Sequence, residues 1–243
     1  MSGAELYISR FSAWAPGIAG PAEWDEWAQG KRSISLDSKG PAIDFTESLF
    51  RRRLSQISKM TVQVIHDLLP LDEKTKILFF SLRGELSRQY QINKMLIEEK
   101  ALMPAAFSLS VFNAPVALAS IALGLKGGYS ALYPAGNNPV AACLAAVEAA
   151  LFCGTAEEIV FVYADEQAPP EYGFFAQGMP SPVAFGILLS RKSGLSSVPL
   201  SLLKREEGNS FDCLRGVHTQ SFQDGFVDFL KQLLLYGKIN VSA

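Results

Sequence analysis

The chain has 243 residues, of which 49% are hydrophobic and 19% are charged, and its formal net charge is −2. This length allows one sizeable domain, and the composition is typical of a well-packed globular core rather than of disorder. The small net charge provides no basic field that would favour nucleic-acid binding. The three cysteines contain no CxxC pair, so we expect a reducing, cytoplasmic setting with no disulfide framework, metal or cofactor.

The first hundred residues predict alternating strands and helices. Residues 6–14 have the composition of a strand, and a short helix follows that ends near Gly30. Apolar residues recur at three-to-four spacing over residues 46–69, which predicts one amphipathic helix that ends at Pro70. The compact apolar run at 76–82 predicts a buried parallel strand. A second helical pattern follows it, over residues 85–99.

A stretch without charged residues lies between Lys100 and Lys126 and is long enough to span a bilayer. Pro104, Asn113 and Pro115 interrupt it, and such residues are costly in lipid. We therefore predict no membrane insertion and interpret the stretch as buried elements or a subunit interface. Within it, residues 107–112 are predicted to be extended, and Asn113 is predicted to cap a helix.

The second half of the chain continues the alternation. Strands are predicted at 129–135 and 159–165, with an alanine-rich helix between them at 139–152. Residues 183–192 and 198–206 are predicted to form a final pair of strands. A final amphipathic helix is predicted at 220–235. Since no repeat or low-complexity linker divides the pattern, we expect a single α/β domain over residues 1–243, with helices flanking a mostly parallel sheet.

The segment at 129–152 predicts a strand, a tight turn and a helix, an arrangement that presents a nucleophile in several enzyme families. The turn contains Ala135, Gly136, Asn137 and Asn138, and none of these side chains is a usable nucleophile. The chain also contains no G-x-S-x-G motif of the hydrolase type.

Several motifs occur in the order found in one enzyme family. They are RRRLSQISKM at 51–60, ILFFSLRGEL at 77–86, FSLSVFNAPVALASIALGLKGG at 107–128 and ALFCGTAEEIVFVYADE at 150–166. Together they resemble the N-terminal half of the beta-ketoacyl synthases. The resemblance implies one half of the layered thiolase-like fold.

The same resemblance implies that the catalytic groups of the condensation reaction are missing. Pro134, Ala135 and Gly136 fall where the family has its Thr-Ala-Cys elbow, so Gly136 occupies the position of the acyl-accepting cysteine. The family's two histidines belong to the C-terminal half, which this chain does not match. We expect His66 and His218 to have ordinary structural roles.

A degenerate ketosynthase of this kind resembles the chain length factors of type II polyketide and aryl polyene pathways. The resemblance implies a heterodimer with a full-length beta-ketoacyl-ACP synthase, in which Gly136 and its neighbours shape the pocket for the growing chain. The region around the elbow forms the subunit interface in this family. The expected interface residues are Phe112, Asn113, Tyr129, Leu132 and Tyr133.

Three charged segments are candidates for function, and the first two admit alternatives. Arg51, Arg52 and Arg53 form either a solvated helix start or a contact for an acidic acyl carrier protein. Arg83 and Glu85 flank a glycine at the end of a strand and are expected to pair with each other or with a partner subunit. Asp165 and Glu166 are expected to lie in a solvated loop.

Two other functions stay open at this stage. The first is a small acyltransferase or thioesterase that uses Cys143, although a cysteine among alanines in a helix is expected to be buried and inert. The second is a homodimeric module that binds acyl carrier protein without chemistry.

Overall fold

The computed structural model describes residues 5–101, 104–134, 139–154, 156–172, 181–194, 197–201 and 222–236. The strands are β1 (Tyr7–Trp14), β2 (Lys76–Phe80), β3 (Tyr129–Leu132), β4 (Glu158–Asp165), β5 (Val183–Ser190) and β6 (Val198–Pro199). The helices are α1 (Pro21–Ala28), α2 (Ser48–Arg51), α3 (Gln56–His66), α4 (Leu86–Glu98), α5 (Pro104–Ser108), α6 (Ala114–Ala122), α7 (Pro139–Cys153) and α8 (Phe222–Tyr236).

The described strands form a six-stranded sheet in the order β3-β2-β4-β5-β1-β6. Strand β2 runs parallel to both β3 and β4, whereas the pairs β4–β5, β5–β1 and β1–β6 are antiparallel. The α/β class is confirmed, but the expected mostly parallel sheet is wrong in detail because the sheet is mixed. A parallel neighbour requires a crossover connection, which the helices between β2, β3 and β4 supply, whereas the antiparallel pairing of β5 with β4 does not require one.

The two predicted closing strands do not pair with each other. Strand β5 pairs with β1 along its length, with Tyr7 opposite Ser190 and Trp14 opposite Ala184. Strand β6 contains only two residues and pairs with the start of β1. The first strand of the chain therefore lies between the last two.

The predicted long helix at 46–69 is two helices in the structure. Helix α2 ends at Arg51, and α3 begins after Ser55, whose hydroxyl accepts a hydrogen bond of 3.2 Å from the backbone N–H of Ser58. A serine cap of this kind starts a helix because it satisfies a backbone donor that has no partner within the helix. The apolar spacing continued through this break, which is why the pattern alone did not reveal it.

The expected extended conformation at 107–112 is also wrong. Helix α5 ends at Ser108, and the hydroxyls of Ser108 and Ser110 donate to the carbonyls of Ala105 and Phe107, at 3.0 and 2.8 Å. These bonds between side chain and backbone favour turns over strands. The predicted helix after Asn113 is confirmed as α6, which begins at Ala114.

Apolar side chains cover both faces of the sheet. On one face, α3 and α6 pack over residues such as Phe79 and Val162. On the other face, α1, α7 and α8 cover residues such as Phe161 and Tyr163. Helix α8 is held by ring stacking, because Phe226 lies 3.9 Å from Tyr163 between ring centroids. The result is three layers with β4 fully enclosed at the centre.

Within the described residues, no helix has the length and apolar character that crossing a membrane requires.

Candidate functional site

The strand and the helix that were predicted on either side of the turn at residues 135–138 are both present. Strand β3 pairs in parallel with β2, with Tyr129 opposite Ile77 and Leu132 opposite Phe80, and α7 starts at Pro139. The turn residues Ala135, Gly136, Asn137 and Asn138 lie outside the described residues. Their proposed role at the pocket therefore stays a prediction from the sequence.

Cys143 lies inside α7 and is 1% exposed. Burial raises the pKa of the Cys143 thiol, so the thiol stays protonated and is a poor nucleophile. Cys153, at the end of α7, is exposed. The geometry thus offers no support for acyl transfer through Cys143.

His66 occupies the last turn of α3. Its ring stacks on Phe45 with centroids 3.6 Å apart, and its Nδ1 lies 3.1 Å from a carboxylate oxygen of Asp67. These neighbours are consistent with the expected structural role of His66. His218 lies outside the described residues.

Strand β3 forms one edge of the sheet, with β2 on one side and no other described strand on its free side. Tyr129 is 36% exposed and Tyr133 is 59% exposed, and Ile121, on the contacting helix α6, is 73% exposed. We call Ile121, Tyr129 and Tyr133 the β3-edge patch. An apolar patch beside an open strand edge is typical of an association surface.

The other expected interface residues lie nearby but differ in exposure. Phe112 and Leu132 are half-buried, and Asn113 is exposed. The Phe112 ring contacts Phe79 on β2, with 6.3 Å between centroids, so part of its surface belongs to the core. Further exposed apolar side chains are found on α4, on α5 and just after α5: Leu96, Ile97, Phe107 and Val111.

The three arginines predicted to contact a carrier protein do not act as one group. Arg51 is tied locally, because its Nη1 lies 3.0 Å from a carboxylate oxygen of Asp44 and 3.1 Å from the carbonyl of Thr46. Arg52 and Arg53 are exposed at the end of α2. Only Arg52 and Arg53 therefore present their side chains freely to solvent.

A buried polar cluster that the sequence analysis did not foresee lies where β2 and β4 end. Asp165 is fully buried, and its carboxylate accepts hydrogen bonds from the hydroxyls of Ser81, at 2.7 Å, and Tyr163, at 2.5 Å. The backbone N–H groups of Leu82 and Arg83 also donate to it, at 3.2 and 3.1 Å. Burial raises the pKa of Asp165, and the hydrogen bonds and the charge of Arg83 oppose that rise.

The neighbouring Glu166 is also buried, at 2% exposure. Its carboxyl group accepts from the backbone N–H of Ser87 at 2.9 Å and from that of Ile57 at 3.4 Å. Burial, and secondly the charge of Glu85, raise the pKa of Glu166 to about 7. The expectation of a solvated loop at Asp165 and Glu166 is therefore wrong, because both carboxyl groups lie inside the fold.

Glu85 completes this cluster at the start of α4. It is fully buried and accepts hydrogen bonds from the hydroxyls of Ser55 and Ser58, at 2.7 and 2.6 Å. Its ion pair is with Arg88, at 3.1 Å, rather than with the expected Arg83. In a helix, residues three apart share one face, which explains the choice of Arg88.

A family model described as "Beta-ketoacyl synthase, N-terminal domain" matches residues 24–234. The chain belongs to the beta-ketoacyl synthase family, as an N-terminal domain of that kind. No curated protein matches the chain.

Solved structures similar to this beta-ketoacyl synthase domain include complexes of ketosynthases with chain length factors. A chain from "Ketosynthase (ApeO) in Complex with its Chain Length Factor (ApeC) from Xenorhabdus doucetiae" is 25% identical, with a TM-score of 0.62. The alignment covers 78% of this chain and 80% of that one, so the two chains have similar lengths.

Two further structures share the fold at lower identity. "The ishigamide ketosynthase/chain length factor" matches with 14% identity and a TM-score of 0.64, over 81% of this chain and 64% of that chain. A type II polyketide ketosynthase structure with its acyl carrier protein, AntDE:AntF, matches with 14% identity and a TM-score of 0.58, over 77% of this chain and 62% of that chain. These matches confirm the predicted thiolase-like half fold, and the chain spans less than two thirds of both of these proteins.

The three buried carboxyl groups of the cluster are engaged by hydrogen-bond donors of this same chain. Each described oxygen of Asp165, Glu85 and Glu166 accepts hydrogen bonds from nearby hydroxyl, amide or guanidinium groups. Among the residues that the structure describes, no group of three or more His, Cys, Asp or Glu could hold a metal ion. The cluster therefore supports the structure at the ends of β2 and β4 instead of forming an open reaction centre.

Proposed function

We propose that the chain is a non-catalytic subunit, similar to a chain length factor, that pairs with an active beta-ketoacyl-ACP synthase. The observation that carries this proposal is the likeness to a chain of the ApeO–ApeC complex, at 25% identity and over about four fifths of both chains. That structure is of a ketosynthase bound to its chain length factor, and the matched chain is about as long as this one.

The surface of the chain supports pairing with another subunit. The β3-edge patch places three large apolar side chains beside β3, which has no other described strand on its free side. Stable subunit interfaces of this kind are large and apolar at their centre. We infer that the ketosynthase covers this patch, together with Phe112, Asn113 and Leu132.

The absence of catalysis in this chain is inferred from its residues. By resemblance, Gly136 occupies the position of the acyl-accepting cysteine, and glycine has no side chain with which to form a thioester. The buried Cys143 thiol does not offer a replacement. In the proposed complex, condensation takes place in the partner, and Ala135, Gly136, Asn137 and Asn138 shape the pocket for the growing polyketide, aryl polyene or fatty acyl chain.

A contact with the acyl carrier protein is a further part of the proposal. Arg52 and Arg53 are exposed and suit an acidic partner, whereas Arg51 is engaged by Asp44. We expect any carrier-protein contact to depend on these two residues and to form within the complex. We also propose that residues 1–243 act as one domain and that the complex is cytoplasmic and needs no cofactor.

Co-expression tests the proposed function directly. The chain, with an affinity tag, is expressed with each full-length ketosynthase of its own genome, and native mass spectrometry reports the species that are purified. We expect a one-to-one complex with one ketosynthase, whose products change in length when the chain is withheld. A homodimer that binds carrier protein and ignores every ketosynthase would instead support the binding-module alternative.

A further inference from the structure

We propose that Glu166 is a proton-linked latch: its buried carboxyl group takes up a proton when the chain folds and holds the first turns of α3 and α4 to the end of β4. This inference concerns the fold of the chain and does not depend on the proposed partner. It rests on the position of Glu166 between two helices and on the charged groups around it.

Glu166 is the first residue after β4, and its two oxygens point to two different helices. One oxygen accepts from the backbone N–H of Ser87 in α4 at 2.9 Å, and the other accepts from that of Ile57 in α3 at 3.4 Å. Both donors belong to first turns, where N–H groups have no partner within the helix. One side chain thus connects three elements that are distant in sequence.

The hydrogen bonds differ in what they require of the carboxyl group. The shorter bond, from Ser87, needs only a carbonyl oxygen, and a protonated carboxyl group keeps one. The longer bond, from Ile57, is weak at 3.4 Å and offers little to a negative charge. Protonation of Glu166 therefore preserves the better of its two backbone contacts.

The surroundings oppose a negative charge at this position. Glu166 is 2% exposed, so ionisation would leave a carboxylate out of water. The buried carboxyl group of Glu85, at the start of α4, pairs with Arg88 and accepts hydrogen bonds from the hydroxyls of Ser55 and Ser58, next to the Ile57 N–H that binds Glu166. After burial, the negative charge of Glu85 is the next cause that raises the pKa of Glu166.

The remaining charged groups at this end of the sheet, Asp165 and Arg83, interact with each other. On β4, Asp165 precedes Glu166, and it is engaged by Ser81, Tyr163 and the turn after β2. From that turn, the charge of Arg83 acts on Asp165. Among the described residues, Arg88 forms an ion pair with Glu85, whereas Glu166 is bound by backbone N–H groups.

The sign of the pH effect follows from the raised pKa of Glu166, which is about 7 in the folded chain against an ordinary value of 4.5. Below pH 4.5 the carboxyl group is protonated in both states, and its stabilising contribution is fully present. As the pH rises from 4.5 to about 7, the unfolded chain releases this proton first, so the contribution is lost. Above that range it changes no further.

The test compares the wild-type chain with Glu166→Gln, which mimics the neutral carboxyl group, in urea unfolding at pH values from 5 to 8. We expect the folded-to-unfolded ratio of the wild type to fall about tenfold or more relative to the variant across this range. Asp165 titrates in both proteins and cancels in the comparison. Glu157→Gln is the matched control, since Glu157 is 66% exposed at its side chain and pairs with Lys192.

Parallel pH profiles for the wild type and Glu166→Gln would overturn the proposal. If the variant fails to fold, carbon-13 NMR of the Glu166 carboxyl group in the wild type decides the question. We expect a titration midpoint near 7, and a midpoint at or below the ordinary 4.5 would equally reject the latch.

Discussion

The hydroxyl of Ser81 donates a hydrogen bond of 2.7 Å to the carboxylate of Asp165, and this contact joins two residues that are 84 positions apart. Ser81 follows β2 and Asp165 ends β4, two strands that run side by side in parallel. The same hydroxyl accepts from the backbone N–H of Gly84 at 2.7 Å, which shapes the turn that leads into α4. Asp165 therefore organises the carboxyl end of the parallel strands.

Replacing Asp165 should be strongly destabilising. We expect Asp165→Ala to lower the free energy of unfolding by about 3 kcal/mol, because it leaves two hydroxyls and two backbone N–H groups without an acceptor. Asp165→Asn, which keeps one acceptor oxygen, should cost less. Urea unfolding measures both, with Asp25→Ala on the exposed side of α1 as a control that should stay within about 0.5 kcal/mol. Equal effects of Asp165→Ala and Asp25→Ala would contradict the central role of Asp165.

Gly127 should not tolerate a side chain. A Cβ atom at this position would lie 2.0 Å from the carbonyl oxygen of Thr75, so the backbone that leads into β2 or β3 would have to move. We expect Gly127→Ala to lower the free energy of unfolding by about 2 kcal/mol or more, measured by thermal or urea unfolding. Gly194→Ala is the matched control, because nothing lies within 4 Å of a Cβ atom there. A neutral Gly127→Ala would mean that the approach of Gly127 to Thr75 is not required.

A charge in the β3-edge patch should block association without affecting the folded subunit. We expect Ile121→Glu to prevent co-purification with the ketosynthase, because a carboxylate buried in an apolar interface without a partner is costly. Its own stability should change by no more than about 0.5 kcal/mol, since Ile121 is 73% exposed.

The matched control for this prediction is Leu36→Glu. Leu36 is 69% exposed and follows Ser35, whose backbone N–H binds the carbonyl of Pro16 just beyond β1, away from β3 in the sheet order. This variant should co-purify normally. Loss of the complex in both variants, or in neither, would argue against the patch as the interface.

The two described cysteines should differ sharply in reactivity. In the native chain we expect iodoacetamide to modify Cys153 readily and Cys143 at least about 100-fold more slowly, because the Cys143 thiol is buried and its pKa is raised. Peptide mapping by mass spectrometry reports each site, and the denatured chain, in which both sites should react, is the control. Rapid native labelling of Cys143 would instead revive the acyltransferase alternative.

Much of the fold could be predicted from the sequence, because it depends on local patterns of residues. The apolar run at 76–82 predicted β2, and the small residues at 139–152 predicted α7 nearly to the residue. The errors also have local causes. Ser55 interrupts a continuous apolar pattern with a cap, and Ser108 and Ser110 fold a β-like composition into turns.

The candidate site could be predicted from the sequence only in part. The sequence indicated the strand and helix on either side of residues 135–138 and the apolar character of the β3 edge. It did not indicate that Asp165 and Glu166 are buried, because acidic residues at the end of a strand are ordinarily solvated. Apart from Tyr163, their hydrogen-bond donors lie on segments about 80 to 110 residues earlier in the chain, and no local pattern reports such distances.

The sequence by itself determined the family and the alternation of strands and helices, and it predicts a glycine where a synthase carries its nucleophile. These features depend on residue identity and on spacing along the chain. Only the tertiary structure decided that the sheet is mixed, that β3 forms its edge, and that Glu166 lies between α3 and α4 beside Glu85. Strand pairing and burial depend on which distant segments meet, and that is settled by packing the whole chain around one core.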